Sequence, residues 1–195
     1  VGGFNKCHYT VYTSSSRGPV NDGRIKPEVV AGGVNIVSTF PGNGYGGLTG
    51  TSMASPTVTG ILALLYERYR QLNSGSDPDA ALIKALVSNS ADDEGNPGPD
   101  FTFGFGMINA RTAVEAMEGH YYFTDSVVNN GTSSFTIPSI PAGARQLKVM
   151  LYWADPAAQP FAPSTLVNDL DLTVTDPGGT NQLPMVLDPA PPNVN

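Results

Sequence analysis

The chain has 195 residues with 17 acidic and 10 basic side chains, a net charge of −7 that argues against nucleic acid or an anionic membrane surface as a partner. Hydrophobic residues make up 40% of it, enough to build a core, yet no run of 18 apolar residues offers a membrane span. The single cysteine, Cys7, excludes an internal disulfide framework and any multi-cysteine metal site, and 22 glycines with 17 prolines predict a turn-rich chain.

Val1-Gly2-Gly3 opens without an initiator methionine or a leader. Pro191-Pro192-Asn193-Val194-Asn195 follows directly on a strand-like run, so the sequence reads as a piece of a longer protein. Cys7-His8 invites a metal site or a catalytic dyad. Two residues do not make four ligands, and adjacent strand side chains point to opposite faces, so an ordinary surface or satisfied histidine is favoured. Ser14-Ser15-Ser16-Arg17-Gly18-Pro19 and Asn21-Asp22-Gly23 are polar turns. Lys26-Pro27-Glu28-Val29-Val30-Ala31-Gly32-Gly33 joins a short β-rich run to a glycine pair, and Val34-Asn35-Ile36-Val37-Ser38-Thr39 alternates as a strand does. Pro41-Gly42-Asn43-Gly44-Tyr45-Gly46-Gly47 is too glycine-rich for a strand and predicts a flexible loop.

From Ser52 to about Arg70 the spacing of Val58, Ile61, Leu62, Leu65 and Tyr69 predicts a helix. Pro56 belongs in a helix's first turn, which sets the start between Ser52 and Ser55. Polar Glu67, Arg68 and Arg70 come only at the far end, so the helix is expected to be buried at its start and to emerge at its end. A second helix is predicted from Asp77-Pro78, with Asp77 as cap and Ala81, Leu82, Ala85 and Leu86 as inner face. The acidic run 92–100 offers calcium-type oxygens without the fixed spacing of a known loop, so a solvated turn is favoured. Phe101, Phe103 and Phe105 read as packing groups rather than a stacking platform, and Asn109 as the N-cap of a third helix through Glu118.

At Gly119-His120 the pattern changes. Short alternating runs follow at 121–128, 134–140, 146–153, 166–175 and 183–187, separated by Gly, Pro and Asn turns. That is the signature of an antiparallel sandwich or jelly roll, with fewer strands than such folds contain. The expected division is 1–119 and 120–195, with an open edge where strands are lacking.

The stretch with chemical promise is Gly50-Thr51-Ser52-Met53-Ala54-Ser55-Pro56. A serine hydroxyl needs a base to take its proton and donors where the substrate carbonyl oxygen turns negative. At a helix N-terminus the free N–H groups and the positive dipole end meet the second need. Gly50, lacking a side chain, lets a substrate backbone approach. On spacing alone, Thr51 or Ser52 is more simply a helix cap.

This stretch resembles the catalytic-serine box of the subtilisin-like serine peptidases, and three further segments are similar to that family in the same order. They are Ser15-Ser16-Arg17-Gly18-Pro19, Asp22-Gly23-Arg24-Ile25-Lys26-Pro27-Glu28-Val29-Val30-Ala31 and Phe103-Gly104-Phe105-Gly106-Met107-Ile108-Asn109-Ala110. The resemblance implies Ser52 as nucleophile, with Gly50 and Thr51 shaping the oxyanion and substrate pocket. The run 147–174 is similar to the jelly-roll domain that follows the catalytic domain in one branch of the family. Its Asp169 and Asp171 are candidate calcium ligands, since some relatives hold calcium, although a polar outer strand face is favoured. The fold class so implied is α/β, the C-terminal portion of a subtilisin-like parallel-sheet catalytic domain, followed by a partial all-β jelly-roll sandwich. Gly32 departs from the family's usual proline.

In this family the triad runs Asp, His, Ser along the chain. Neither the Asp box nor the His box is present, and neither Cys7-His8-Tyr9-Thr10 nor Gly119-His120-Tyr121-Tyr122 matches the latter. The resemblance therefore implies a serine endopeptidase, secreted or of the cell envelope, acting on polypeptides through an acyl-enzyme. This stretch of it is expected to be inactive alone, since losing the base removes most triad catalysis. No cofactor is required and no metal ligand set is assigned; structural calcium is left open. Self-association through the open edges is expected. Two alternatives are a non-catalytic scaffold or binding module of the same ancestry, and an α/β-hydrolase esterase. The esterase wants a strand immediately before the serine and Asp then His after it, which this chain lacks.

Overall fold

A computed structural model describes residues 1–6 and 10–189, so the Cys7-His8 pair and the closing run from Pro191 lie outside the described residues. Strand β1 (Gly2–Asn5) is the middle of a small mixed sheet. It pairs antiparallel with β2 (Thr10–Val11) and parallel with β3 (Val30–Gly32), in the register Gly2 to Val30, Gly3 to Ala31 and Phe4 to Gly32. Met107 adds a parallel bridge beside Val30.

Alternation along these strands divides the core in two. Phe4 and Val30 face one way and pack with Val11, Phe103 and Met107, Phe103 meeting Phe4 edge to face at 6.2 Å. Gly3 and Ala31 face the other way, toward helix α1 (Thr51–Leu72), and their small size lets Ala54 sit against the sheet. Ala54, Val58 and Leu65 form the buried stripe of α1. They pack with Leu82, Ile83, Leu86 and Val87 of α2 (Ala80–Asn89) and with Ala113 and Met117 of α3 (Ala110–Glu118).

The third helix is built as the sequence predicts: the Asn109 side chain accepts from the Thr112 N–H and caps it. The other two differ in detail. Helix α1 starts at Thr51, so Pro56 lies in its second turn rather than its first. The helix is not buried all round at its start: Ser52, Ser55, Pro56, Thr57, Thr59 and Gly60 are exposed, as is Leu64 at 64%. Only one face of its first turns meets the sheet, and the apolar residues on the other face meet solvent. Helix α2 begins after Asp79 without a side-chain cap, because Asp77 is drawn instead to Arg70 at the end of α1. That exchange of partners shortens the helix by its predicted first turn.

The glycine-rich loop expected at 41–47 is in part a strand. β4 (Ile36–Phe40) and β5 (Gly44–Leu48) form a hairpin, with Pro41, Gly42 and Asn43 as the turn and both Gly42 and Asn43 at positive φ. The Phe40 ring lies where a side chain on Gly46 would stand, 3.0 Å from its Cβ position, so an aromatic across the pair covers the strand glycine. In the acidic run, Asp100 is buried rather than solvated. Its carboxylate accepts from the backbone N–H groups of Thr102 and Phe103 and closes that turn. Phe101 is buried beside it, in line with the packing role expected for these aromatics.

Among the described residues after 119, the five alternating runs yield one short hairpin, β6 (Val174–Thr175) with β7 (Asn181–Gln182). Phe135, Ile137, Leu147, Val149 and Leu151 stand exposed, so no second layer covers the face their alternation marks out. Phe123 and Phe135 stack on each other at 4.6 Å.

Two glycines, Gly33 and Gly50, fix how α1 meets the sheet. A Cβ on Gly33 would lie 2.8 Å from the Gly50 carbonyl oxygen and 3.1 Å from the Gly3 Cα. The Gly50 N–H donates to the Gly33 carbonyl at 2.7 Å, and the Gly33 N–H to the Phe4 carbonyl at 3.0 Å. Gly33→Ala should therefore destabilise the chain by about 1–3 kcal/mol through overpacking. Gly60, in the same helix but with nothing within 4 Å of its Cβ position, should behave oppositely. Gly60→Ala should stabilise by about 1 kcal/mol from helix propensity. Urea unfolding of the two variants checks both signs.

Candidate active site

The entry to α1 is a turn that its own backbone holds. Gly50, the N-cap, has φ 155° and ψ 169°, a region essentially reserved for glycine. Its N–H is bound to Gly33, and its carbonyl accepts from Met53 at 3.1 Å. Upstream, the Thr49 hydroxyl accepts from the Asn35 N–H at 2.8 Å, which ties the end of the hairpin to the loop after β3. Asn35 itself takes φ 52°, a conformation its short polar side chain tolerates. The site is thus hung on two glycine-containing backbone segments rather than on side-chain packing.

Ser52 is the second residue of α1 and is exposed. No side chain caps this N-terminus and its first turn holds no acidic residue, so the positive end of the helix dipole is not offset locally. Pro56 stands four residues on and has no N–H to give the Ser52 carbonyl, so the usual helical bond at that carbonyl is missing. Thr57 and Thr59 turn their hydroxyls back onto the carbonyls of Met53 and Ser55, each at 3.1 Å. Gly50, Thr51 and Ser52 therefore share one turn, half-buried at Gly50 and Thr51 and exposed at Ser52.

His120 does not join it. His8 lies outside the described residues. His120 follows α3 at φ 52°, its ring tilted against Tyr122 at 6.0 Å. Glu118, two residues before it, pairs with Arg68 at 2.7 Å near the far end of α1. Sixteen residues of helix separate Arg68 from Ser52, about 24 Å at 1.5 Å per residue, so His120 is at the wrong end to act as base.

Gly3 and Gly33 are the residues of this site that the sequence did not single out. The signal was present as two glycine pairs, Gly2-Gly3 opening the first strand and Gly32-Gly33 closing the run into β3. Gly32 has a different role: the Lys6 stem lies 3.3 Å from its Cβ position.

The strongest charge effects lie elsewhere. The Thr165 hydroxyl and Arg24 hold the Asp22 carboxyl well below the ordinary carboxylate range. Burial alone would raise Glu28, but Lys26 at 2.8 Å, with Lys84 and the Tyr152 hydroxyl, brings it below its usual value. Neither belongs to the Ser52 turn. Among the described residues there is no cluster of three or more His, Cys, Asp or Glu side chains set to hold a metal.

Comparison with known proteins covers the same stretch. The model of the subtilase family matches residues 1–106. Subtilisin DY of Bacillus licheniformis is 40% identical over 88 residues, which is 45% of this chain and 29% of that protein. The minor extracellular protease Vpr of Bacillus subtilis is 36% identical over 132 residues, 62% of this chain and 15% of that protein. Among solved structures, the CspB protease of Clostridium perfringens aligns with a TM-score of 0.56 at 32% identity, over 60% of this chain and 26% of that one. The chain thus spans less than a third of the length of each of these relatives. With a family model across more than half of its residues and the α1 entry built as described, the chain belongs to the subtilase family.

Proposed function

We propose that this chain supplies the nucleophile and part of the oxyanion site of a serine endopeptidase, and that Ser52 is that nucleophile. The observation that carries the reading is the exposed Ser52 hydroxyl on an uncapped helix entry, directly after a glycine in a glycine-only conformation. The family supplies the reaction class, since its members are serine peptidases. In this reading the Ser52 Oγ attacks the carbonyl carbon of a peptide bond as a base removes its proton. The Ser52 N–H, at the positive end of α1, faces the oxygen that becomes negative. Gly50 leaves room for the substrate backbone, and Thr51 shapes the adjoining pocket. Collapse of the tetrahedral intermediate expels the amine with the proton, and water then releases the acyl group from Ser52. These steps use protein groups and water, and no cofactor is assigned.

The base and the acid that orients it come, in this reading, from polypeptide beyond this stretch, because His120 is held at the far end of α1. The chain alone is then idle. The extracellular setting named for the Vpr protease suggests a secreted or cell-envelope location here as well. The alternating runs after 119 fit the beginning of a jelly-roll domain whose remaining strands would cover Phe135, Ile137 and Val149.

In the longer parent protein, Ser52→Ala should lower kcat by about 10⁶-fold toward a peptide substrate. Activity within tenfold of the unaltered parent would remove Ser52 from the nucleophile role. A fluorophosphonate probe should label Ser52 in the parent within minutes and leave the isolated chain unlabelled over the same period. Equal labelling of both would show that the base is present in this stretch after all.

A further inference from the structure

The segment 148–168 meets the α/β part of the chain at three separate places, each through polar groups. At the first, Lys148 donates from Nζ to the Ala91 carbonyl at 3.2 Å, while Asn89 donates from Nδ2 to the Lys148 carbonyl at 3.3 Å. Helix α2 ends at Asn89 and has no basic residue in its last turn. Lys148 therefore brings a cation from outside to the negative end of the helix dipole. At the second, the Tyr152 hydroxyl donates to Glu28 Oε1 at 3.3 Å, and Lys84 of α2 stands over the Tyr152 ring at 5.6 Å. The ring is held from above by a cation and at its tip by a carboxylate, a pairing selective for tyrosine. At the third, Thr165 donates to the Asp22 carboxylate.

The segment is also tied to itself. Asp155 accepts from the backbone N–H groups of Val167 and Asn168 at 2.6 and 2.9 Å, and from the Asn168 side chain at 2.8 Å. That closes 155–168 into one loop, so that Tyr152 and Thr165 are presented from a common unit. Burial does little to seat it. Leu147, Val149, Leu151, Leu166 and Val167 are each more than a third exposed, and Phe161 at the loop tip is fully exposed. With its outward apolar side chains left in water and Met150, Tyr152 and Trp153 only half-buried, the segment is retained largely by hydrogen bonds and a cation over a ring, which are individually modest and reversible.

We infer that residues 148–168 are a detachable strap, docked through Tyr152 onto a receiving surface made by Glu28, Lys84 and the C-terminal end of α2. The partner of that surface is this chain's own C-terminal segment. Its point of grip is the run that leads into β3 and then to Gly33, the residue on which the entry of α1 hangs. The Glu28 carbonyl also accepts from Phe105 at 2.8 Å, so the gripped run is fixed to the segment before α3 as well. The inference concerns docking and does not rest on the catalytic role of Ser52.

Trp153, the single tryptophan, follows Tyr152 and has its indole N–H buried without a partner, so its fluorescence reports on the strap. The test alters the receiving surface and leaves the surroundings of Trp153 within the strap unchanged. In the full 195-residue chain, the pair Glu28→Gln and Lys84→Gln should raise the acrylamide quenching constant of Trp153 about threefold as the strap opens. Far-ultraviolet circular dichroism should stay unchanged, since α1, α2 and α3 keep their core. Lys148→Gln, at the other end of the strap, should act in the same direction. Quenching at the unaltered level in both variants, with the helical signal intact, would overturn the proposal. If the double variant loses its helices, Lys148→Gln and Thr165→Ala decide by the same readout, and unaltered quenching in both of those overturns it.

Discussion

The hydrogen bond from the Gly50 N–H to the Gly33 carbonyl is the joint on which this structure turns. It forms because Gly33 lets the loop after β3 approach Gly50 more closely than a side chain would allow, and because Gly50 takes a conformation reserved for glycine. Through it, the end of β3 dictates where α1 begins. The direction of α1 in turn sets which residues face the sheet, and Ala54, Val58 and Leu65 follow at helical spacing. The exposed position of Ser52 is then a geometric consequence: two residues before Ala54 on a helix is about 200° round, just over half a turn, on the side away from the sheet. A serine offered to solvent and a buried alanine stripe are two aspects of the same constraint.

The elements legible in the sequence were those whose signals are local. The third helix shows its cap at Asn109, and the structure uses it for that purpose. The first helix shows its apolar spacing, and its buried stripe appears where the spacing puts it. The serine box is a run of adjacent residues, and its turn is assembled as one piece. Signals depending on a distant partner were misread. Asp77 is a good cap in isolation, but Arg70 at the end of the preceding helix competes for its carboxylate. Gly44 to Leu48 lacks strand propensity, yet β4 supplies the pairing and Phe40 the cover. Asp100 looked like a solvated acid because nothing in its neighbourhood announces that its oxygens will meet backbone N–H groups in a closed turn.

The candidate site was legible in its chemistry and not in its support. Gly50, Thr51 and Ser52 share one turn because they are adjacent in sequence. Gly3 and Gly33 escaped notice because a glycine in sequence does not say what lies over it. Exposure escaped notice for a related reason. An all-round apolar helix start and an alternating strand are statements about two surfaces, and each predicts a neighbour. Along α1 one neighbour is the sheet, and the opposite face, with Leu64, meets solvent. After 119, alternation marks an apolar face at Phe135, Ile137 and Val149 that nothing among the described residues covers. The pattern is sound as a reading of which side chains share a face, while the layer it presupposes is a separate matter.

That distinction bears on the role proposed for Ser52. Placement of Ser52 relies on backbone contacts contained between β1 and the first turn of α1, all within the region matched by the family model. On the proposed reading its activation relies on a base, and His120 follows α3, whose Glu118 pairs with Arg68, about 24 Å along α1 from Ser52. Positioning and activation of a nucleophile are therefore separable in this architecture. Positioning is a property of Gly33, Gly50 and one hydrogen bond, and on the proposed reading activation requires side chains brought from elsewhere to an exposed hydroxyl. An exposed, uncapped helix entry suits that arrangement, because a site closed over by its own segment would leave no room for the base to arrive.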